Sequence, residues 1–181
     1  MAGIDVDREF IPIRIAVLTV SDTRSAADDK SGDYLVKSIE EAGHILGGRQ
    51  IVQDDVAGIR AIVGAWIQDS AIDCVITTGG TGFTGRDVTP EAVKPLFEKE
   101  IEGFSIVFHM LSYAKVGTST IQSRACGGTA RGTYIFCLPG SPGACRDAWD
   151  GILKLQLDHR HRPCNFVEII PRLQEHLKGR G

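Results

Sequence analysis

The sequence predicts an α/β domain of three layers, a mostly parallel sheet with helices on both faces. Three observations carry that expectation. Apolar β-branched runs alternate with segments of helical periodicity in the order strand, helix, strand, helix, strand, as a parallel sheet with crossover helices requires. The first of these runs, Ile13 to Val20, is continuously apolar apart from Arg14 and Thr19, the pattern of a strand buried on both faces. Several strand runs end in glycine, proline or acidic turns, and in open α/β sheets the region beyond the carboxyl ends of the strands is where ligands bind.

The elements follow in order. The first strand ends at Ser21-Asp22-Thr23, and a polar loop follows. From Ser31 the residues Tyr34, Leu35, Ile39 and Ala42 recur at helical spacing, and Gly43 closes that helix as its C′ residue. A short second strand is expected at Gln50 to Gln53, ending at Asp54-Asp55; Val56, Ile59, Ile62, Val63, Trp66 and Ile67 then mark an amphipathic helix. The strand Asp73 to Thr78 runs into a glycine turn, and the helix opening near Thr89, read with Thr89 as N-cap and Pro90 as N1, is interrupted by Pro95.

A longer helix, Phe104 to Val116, carries a stripe of Ile106, Val107, Met110 and Leu111 suited to core or subunit contact. Gly127-Gly128 reads as a turn and Thr133 to Leu138 as a late central strand. Ala144 to His159 reads as the last helix, with Ala148, Trp149, Ile152, Leu153, Gln156 and Leu157 at helical spacing. The expected organisation is a flexible lead over 1–12, one domain over 13–172 and a tail over 173–181, without repeats or linkers.

Composition narrows the function. With 20 basic and 23 acidic residues, a net charge of -3, the chain is not built around a nucleic-acid surface. The basic cluster His159 to Arg162 reads as a solvated turn after a helix. Five cysteines without a C-x-x-C pair give neither a disulfide framework nor a zinc ribbon. They fit reduced cytosolic thiols, with Cys74 and Cys137 as core fillers, and Cys145, His159, His161 and Cys164 match no standard zinc spacing. No apolar run reaches the roughly twenty residues of a membrane span, and the acidic start lacks signal-peptide form. A cytoplasmic protein without membrane or nucleic-acid partners is expected.

The segment Thr77-Thr78-Gly79-Gly80-Thr81-Gly82, followed by Arg86-Asp87-Val88-Thr89-Pro90-Glu91, is the most informative. It lacks the G-x-G-x-x-G dinucleotide fingerprint and the Gly-Lys-Ser/Thr of a Walker loop. A lone GGTG is also compatible with an ordinary tight turn. The acid and helix start behind it make an anion site: glycines admit close backbone approach, and a helix start presents free N–H groups and a positive dipole end. Asp87 stands where a metal beside phosphates needs a hard oxygen. Four strand ends, Ser21-Asp22, Asp54-Asp55, Gly79 to Gly82 and Pro139 to Pro142, are expected to converge on one rim. The five histidines, at 44, 109, 159, 161 and 176, are read as lying away from it, which disfavours acyl transfer. Phosphoryl or nucleotidyl transfer fits better, because there the protein mainly positions anions and neutralises charge. Asp87 is the first candidate magnesium ligand. Asp54 is a second ligand or an acceptor for substrate, unless it or Asp55 only caps the following helix.

Val20-Ser21-Asp22, Thr78 to Gly82, Arg86 to Ala92 and Leu138 to Pro142 resemble the successive signatures of the MoaB/Mog family of molybdenum cofactor biosynthesis, over about Ile13 to Arg172. The resemblance implies a molybdopterin-binding α/β domain whose active branch adenylylates molybdopterin from ATP and magnesium, releasing pyrophosphate. On that resemblance the functional aspartates are Asp54 and Asp87, with Asp87 on the metal. Gly79, Gly80, Thr81 and Gly82, with Thr89, Pro90 and Glu91, hold the pterin phosphate. Ser21, Asp22, Pro139, Gly140 and Ser141, with Ser123 and Arg124, form the nucleotide side. Gln53 stands where much of the family has proline, and Gly117 to Thr120 and Arg162 to Phe166 resemble the MoaB branch. A trimer or hexamer is implied. Two rival readings remain: a non-catalytic molybdopterin-binding or scaffold protein, as the related G domain of gephyrin illustrates, and a nicotinamide oxidoreductase, which the missing fingerprint disfavours.

Overall fold

The computed structural model describes residues 3–177. Its central sheet has six strands in the order β3-β2-β4-β7-β6-β5. β2 (Arg14–Val20), β3 (Ile45–Val52), β4 (Cys74–Thr78) and β7 (Thr133–Leu138) are mutually parallel. β6 (Cys126–Ala130) runs antiparallel to β7 and to the two-residue edge strand β5 (Lys99–Glu100). The expected mostly parallel α/β fold is therefore present.

Alternation along β2 explains the three layers. Ile15 and Val17 point to one face, where they meet Leu35 and Ile39 of α1 (Lys30–Glu41), Phe104 and Phe108 of α4 (Glu102–Val116) and Ala148 of α5 (Pro142–Ala148). Ala16, Leu18 and Val20 point to the other face, against Ile59 and Val63 of α2 (Val56–Gln68) and Ala92 and Val93 of α3 (Thr89–Val93). Burying both faces removes the polar face that a one-sided sheet would show, so β2, β4 and β7 read as continuous apolar runs.

The structure departs from the sequence reading in places with identifiable causes. β3 begins at Ile45, not Gln50, and its glycines are packing devices. Register shifts between Ile15 and Ala16, whose partners are Leu46 and Gly48, so Gly47 is the extra residue of a bulge. A Cβ on Gly47 would lie 2.5 Å from Ile72. Gly127 and Gly128 are not a turn but lie inside β6, where the Phe136, Phe104 and Phe97 rings occupy the space a side chain would need. The chain reverses one step later, at Arg131 and Gly132, both at positive φ.

The helix expected over Ala144 to His159 is Pro142–Ala148, a π-helical stretch Trp149–Leu153 and the short α6 (Lys154–Gln156), ending before His159. The described part of the lead makes contacts with the body of the chain. β1 (Gly3–Ile4) pairs with β8 (His161–Arg162), Asp5 N donates to Arg160 O (2.9 Å), and Arg160 stacks on Phe10. The basic cluster is thereby engaged with the lead instead of being only solvated. Of the expected tail, Glu175–Leu177 forms a 3-10 turn and 178–181 lie outside the described residues.

Because a Cβ at Gly128 would meet the Phe97 ring at 2.4 to 2.6 Å, Gly128→Val is expected to destabilise the fold by about 1–3 kcal/mol. Thermal unfolding followed by circular dichroism should show a Tm several degrees lower, while an exposed control such as Gly143→Ala, with open space around it, should leave Tm within a degree or so.

Candidate active site at the strand carboxyl ends

The four strand ends do converge. Ser21 follows β2, Asp54 follows β3, Gly79 to Gly82 follow β4 and Pro139 and Gly140 follow β7, and all of them line one cleft of about 410 Å³ with Arg24, Arg86, Asp87 and Ser123. The turns are bonded to one another. Gly79 N donates to Leu138 O (3.0 Å), Thr78 Oγ1 to Pro139 O (3.0 Å) and Ser21 N to Val52 O (2.8 Å).

Gly79 and Gly80 have φ of 105° and 64°, the left-handed region that glycine enters without strain. A Cβ at Gly79 would stand 2.1 Å from the Val20 carbonyl oxygen, and one at Gly80 would stand 2.3 Å from Thr89 Oγ1 and 2.8 Å from Asp54 Oδ1. The glycines therefore serve both conformation and close packing.

Thr89 is not the helix cap expected from the sequence. Val88 occupies the N-cap without a side-chain bond. The fully buried Thr89 hydroxyl instead donates to Gly79 O (2.8 Å), and Thr89 N donates to Gly80 O (2.9 Å). Thr89 acts from behind the glycine turn, pinning it to the start of α3.

Asp54 and Asp87 flank this turn. The cap of α2 is Asp55, which accepts from Gly58 N (2.7 Å), so Asp54 is free of that duty. No side-chain donor reaches the Asp54 carboxylate among the described residues. Its pKa is raised, first by burial and then by the negative charges of Asp22 and Asp87. Asp87 is treated in the opposite way. Burial alone would raise its carboxyl, but Thr84 donates to Oδ2 from both its hydroxyl (2.6 Å) and its N–H (2.8 Å), and Gly82 N–H and Arg124 add to this. The net effect holds Asp87 below its ordinary value.

Asp54 and Asp87, two hard oxygen groups lining one cleft, could hold a magnesium ion that takes its other ligands from substrate and water. No group of three or more His, Cys, Asp or Glu side chains among the described residues forms a ready-made metal cage. The cysteines are all free thiols, and four of the five are buried.

The remaining expected site residues divide. Ser21, Ser123, Pro139 and Gly140 line the cleft. Asp22 stands at its mouth, accepting from Asp54 N (3.1 Å) and pairing side-on with Arg86. Ser141 caps α5 through Ala144 N (3.2 Å) and faces an adjoining cavity of about 770 Å³ that shares Gln122, Ser123 and Pro139 with the cleft. Pro90 and Glu91 face away, toward a different cavity behind the turn. Arg124 is a strut of the turn: it donates to Gly82 O (2.9 Å) and Asp87 O (2.9 Å) and pairs with Glu91.

Sequence reasoning missed Arg24, whose guanidinium donates to Gly140 O (2.9 Å), and Thr84, whose place three residues before Asp87 was the available signal. As expected, no histidine among the described residues lines the cleft. His109 Nε2 lies 3.0 Å from Ser123 O, directly behind the cleft wall.

Comparison with known proteins bears on this geometry. Residues 16–159 match the model of a family described as "Probable molybdopterin binding domain". The chain belongs to this molybdopterin-binding family of molybdenum cofactor biosynthesis proteins. Among its relatives, Molybdenum cofactor biosynthesis protein B of Escherichia coli (strain K12) is 54% identical over 161 residues, covering 89% of this chain and 95% of the relative. The protein of the same name in Bacillus subtilis (strain 168) is 43% identical over 148 residues, covering 81% and 87%. A crystal structure of Molybdenum cofactor biosynthesis protein B superposes with a TM-score of 0.83 at 38% identity, covering 93% of this chain and 99% of that one. The tungsten cofactor synthesizing protein MoaB from Pyrococcus furiosus gives a TM-score of 0.69 at 31% identity, covering 93% and 98%.

Asp54 supplies a test within the apo protein. Its folded pKa lies above the unfolded value, so ionised Asp54 costs stability above its folded pKa, and that cost vanishes as pH falls below the unfolded value of about 3.9. Asp54→Asn is therefore expected to be slightly more stable than the native protein at pH 7. Denaturant melts should show the advantage disappearing below about pH 4.

Proposed function

We propose that the chain is a molybdopterin adenylyltransferase, moving AMP from ATP to the terminal phosphate of molybdopterin and releasing pyrophosphate. The observation that carries this reading is the placement of Asp54 and Asp87 on either side of one glycine turn in one cleft. A phosphate nucleophile is already anionic at neutral pH, so the reaction calls for positioning and charge neutralisation more than for a general base.

In this reading the main chain of the glycine turn at Gly80 and Thr81 holds the pterin phosphate, and Ser21, Gly140 and Ser123 border the triphosphate. Asp87, kept ionised by Thr84, is the first ligand for magnesium, and Asp54 is the second. The metal supplies neutralisation of the charge that develops on the phosphoryl oxygens. Thr89 and Arg124 hold the turn rigid, so that its N–H groups need no reorganisation when phosphate arrives. Free thiols throughout suit a cytoplasmic setting.

The protein is further proposed to act as a homo-oligomer, a trimer or hexamer. Of the expected stripe on α4, Ile106, Val107 and Met110 are exposed and support this, while Leu111 packs against the core; Tyr113 extends the exposed face, and Phe104 and Phe108 are buried. A cluster of apolar side chains on one helix face is the surface an association would cover.

Two outcomes check these readings. With ATP, magnesium and molybdopterin, pyrophosphate release by Asp87→Ala is expected to fall by about 10²-fold or more; binding of molybdopterin by the native protein without any pyrophosphate release would replace the enzyme by a carrier. Light scattering after size exclusion should give a trimer or hexamer mass for the native chain and a monomer for the double variant Ile106→Asp, Met110→Glu. A native monomer would remove the oligomer.

A further inference from the structure

Two guanidinium groups line the cleft and a third, Arg124, braces its turn from outside, and they are held in different ways. Arg24 donates to the Gly140 carbonyl (2.9 Å) and lies 3.7 Å from the buried Asp29. Arg124 spends its donors on the carbonyls of Gly82 and Asp87 and on Glu91. Both are tied to main-chain oxygens of the turns, so withdrawing either would leave carbonyls of the site unpaired. Arg86 is bonded otherwise. Its Nε and Nη2 reach the two oxygens of Asp22, each at 2.8 Å, and its side chain is 66% exposed.

That pair is replaceable. An exposed ion pair contributes little to stability, and a phosphate offers a guanidinium fork the same two-oxygen geometry as a carboxylate. Asp22 stays in place without Arg86, because its Oδ1 also accepts the Asp54 N–H at 3.1 Å. The cleft and its mouth carry three carboxylates, those of Asp22, Asp54 and Asp87, so an entering polyphosphate needs a cation that can turn toward it. Among the described residues lining the cleft, Arg86 is the charged group whose partner is a surface side chain alone.

We propose that Arg86 is an exchangeable anion-binding residue: Asp22 holds its guanidinium at the mouth of the cleft, and an entering polyphosphate takes the fork from Asp22. The proposal rests on the reading that phosphate groups enter this cleft, and it adds that their binding is opposed by Asp22. Asp22 then acts as a selectivity device. A ligand with one weakly basic oxygen gains too little to break the pair, whereas a chain of phosphates can engage the fork side-on.

The two residues therefore have opposite expected effects, which a merely structural ion pair would not produce. Calorimetric titration of the full-length protein with tripolyphosphate, in EDTA and at near-physiological salt, reads them. Arg86→Ala should weaken binding roughly tenfold or more, and Arg86→Lys, which keeps the charge without the fork, should fall between. Asp22→Asn, which keeps an oxygen for the Asp54 N–H, should tighten binding about three- to fivefold. That gain should be lost when Arg86 is already alanine, the coupling a double-mutant cycle isolates.

An equal gain from Asp22→Asn in both backgrounds would be a simple field effect and would overturn the exchange. So would unchanged binding by Arg86→Ala, while leaving the phosphate reading of the cleft standing. No tripolyphosphate binding by the native protein would overturn both. Thermal melts of each variant verify that the fold is retained.

Discussion

The constraint on which the site depends is the absence of a side chain at Gly79. Its backbone passes so close to the end of β2 that a Cβ would fall 2.1 Å from the Val20 carbonyl oxygen, and the Gly79 Cα lies 3.2 Å from where a Cβ on Gly140 would stand. The ends of β2, β4 and β7 can therefore crowd together at the rim. Parallel pairing of β4 with both β2 and β7 carries these ends to the same edge, but pairing alone leaves loops free to splay. The Gly79 N–H to Leu138 O bond and the Thr78 hydroxyl on Pro139 O join two of them.

From that junction outward, each polar group has one of two jobs. Thr89 and Arg124 satisfy the carbonyls of the turn, so that those oxygens are already bonded within the protein. Ser31 and Arg24 do the same for Gly140 O. An anion site made of N–H groups needs this division, since carbonyls turned inward would repel the ligand. The small residues in front supply access, and the larger residues behind supply rigidity.

Much of this was legible in the sequence because the physics involved is local. The buried strands announce themselves through apolar runs, and the glycine turn with its acids announces itself by composition and order. What was not legible depends on contacts between distant segments. Gly127 and Gly128 look like a turn because glycine usually marks one, yet here three aromatic rings need the room. Thr89-Pro90 has the form of a cap, but a buried carbonyl at Gly79 claims the hydroxyl. Arg124, expected at the nucleotide, is consumed by loop carbonyls 37 and 42 residues earlier in the chain. His109 approaches the cleft wall only because α4 folds against β6, and the lead pairs with β8, more than 150 residues later in the chain. No local pattern encodes those meetings.

The treatment of acids around the rim separates structural from reserved charge. Asp29 is fully buried and almost completely provided for: Thr19 Oγ1 donates at 2.7 Å, Gly32 N at 2.9 Å and Arg49 at 3.2 Å. Burial pushes its pKa up, but those donors overcome it and the net shift is downward. Asp54 has no such company. Burial and the facing charges of Asp22 and Asp87 raise it, and only Arg86 and the Asp22 main chain lean weakly the other way. The same fold thus knows how to neutralise a buried aspartate and does not do so at Asp54. A carboxylate kept at a cost, opposite a second one held ionised by Thr84, is a pair of ligands waiting for a positive charge from outside the chain. Only the arrival of a cation with its anionic cargo would relieve both.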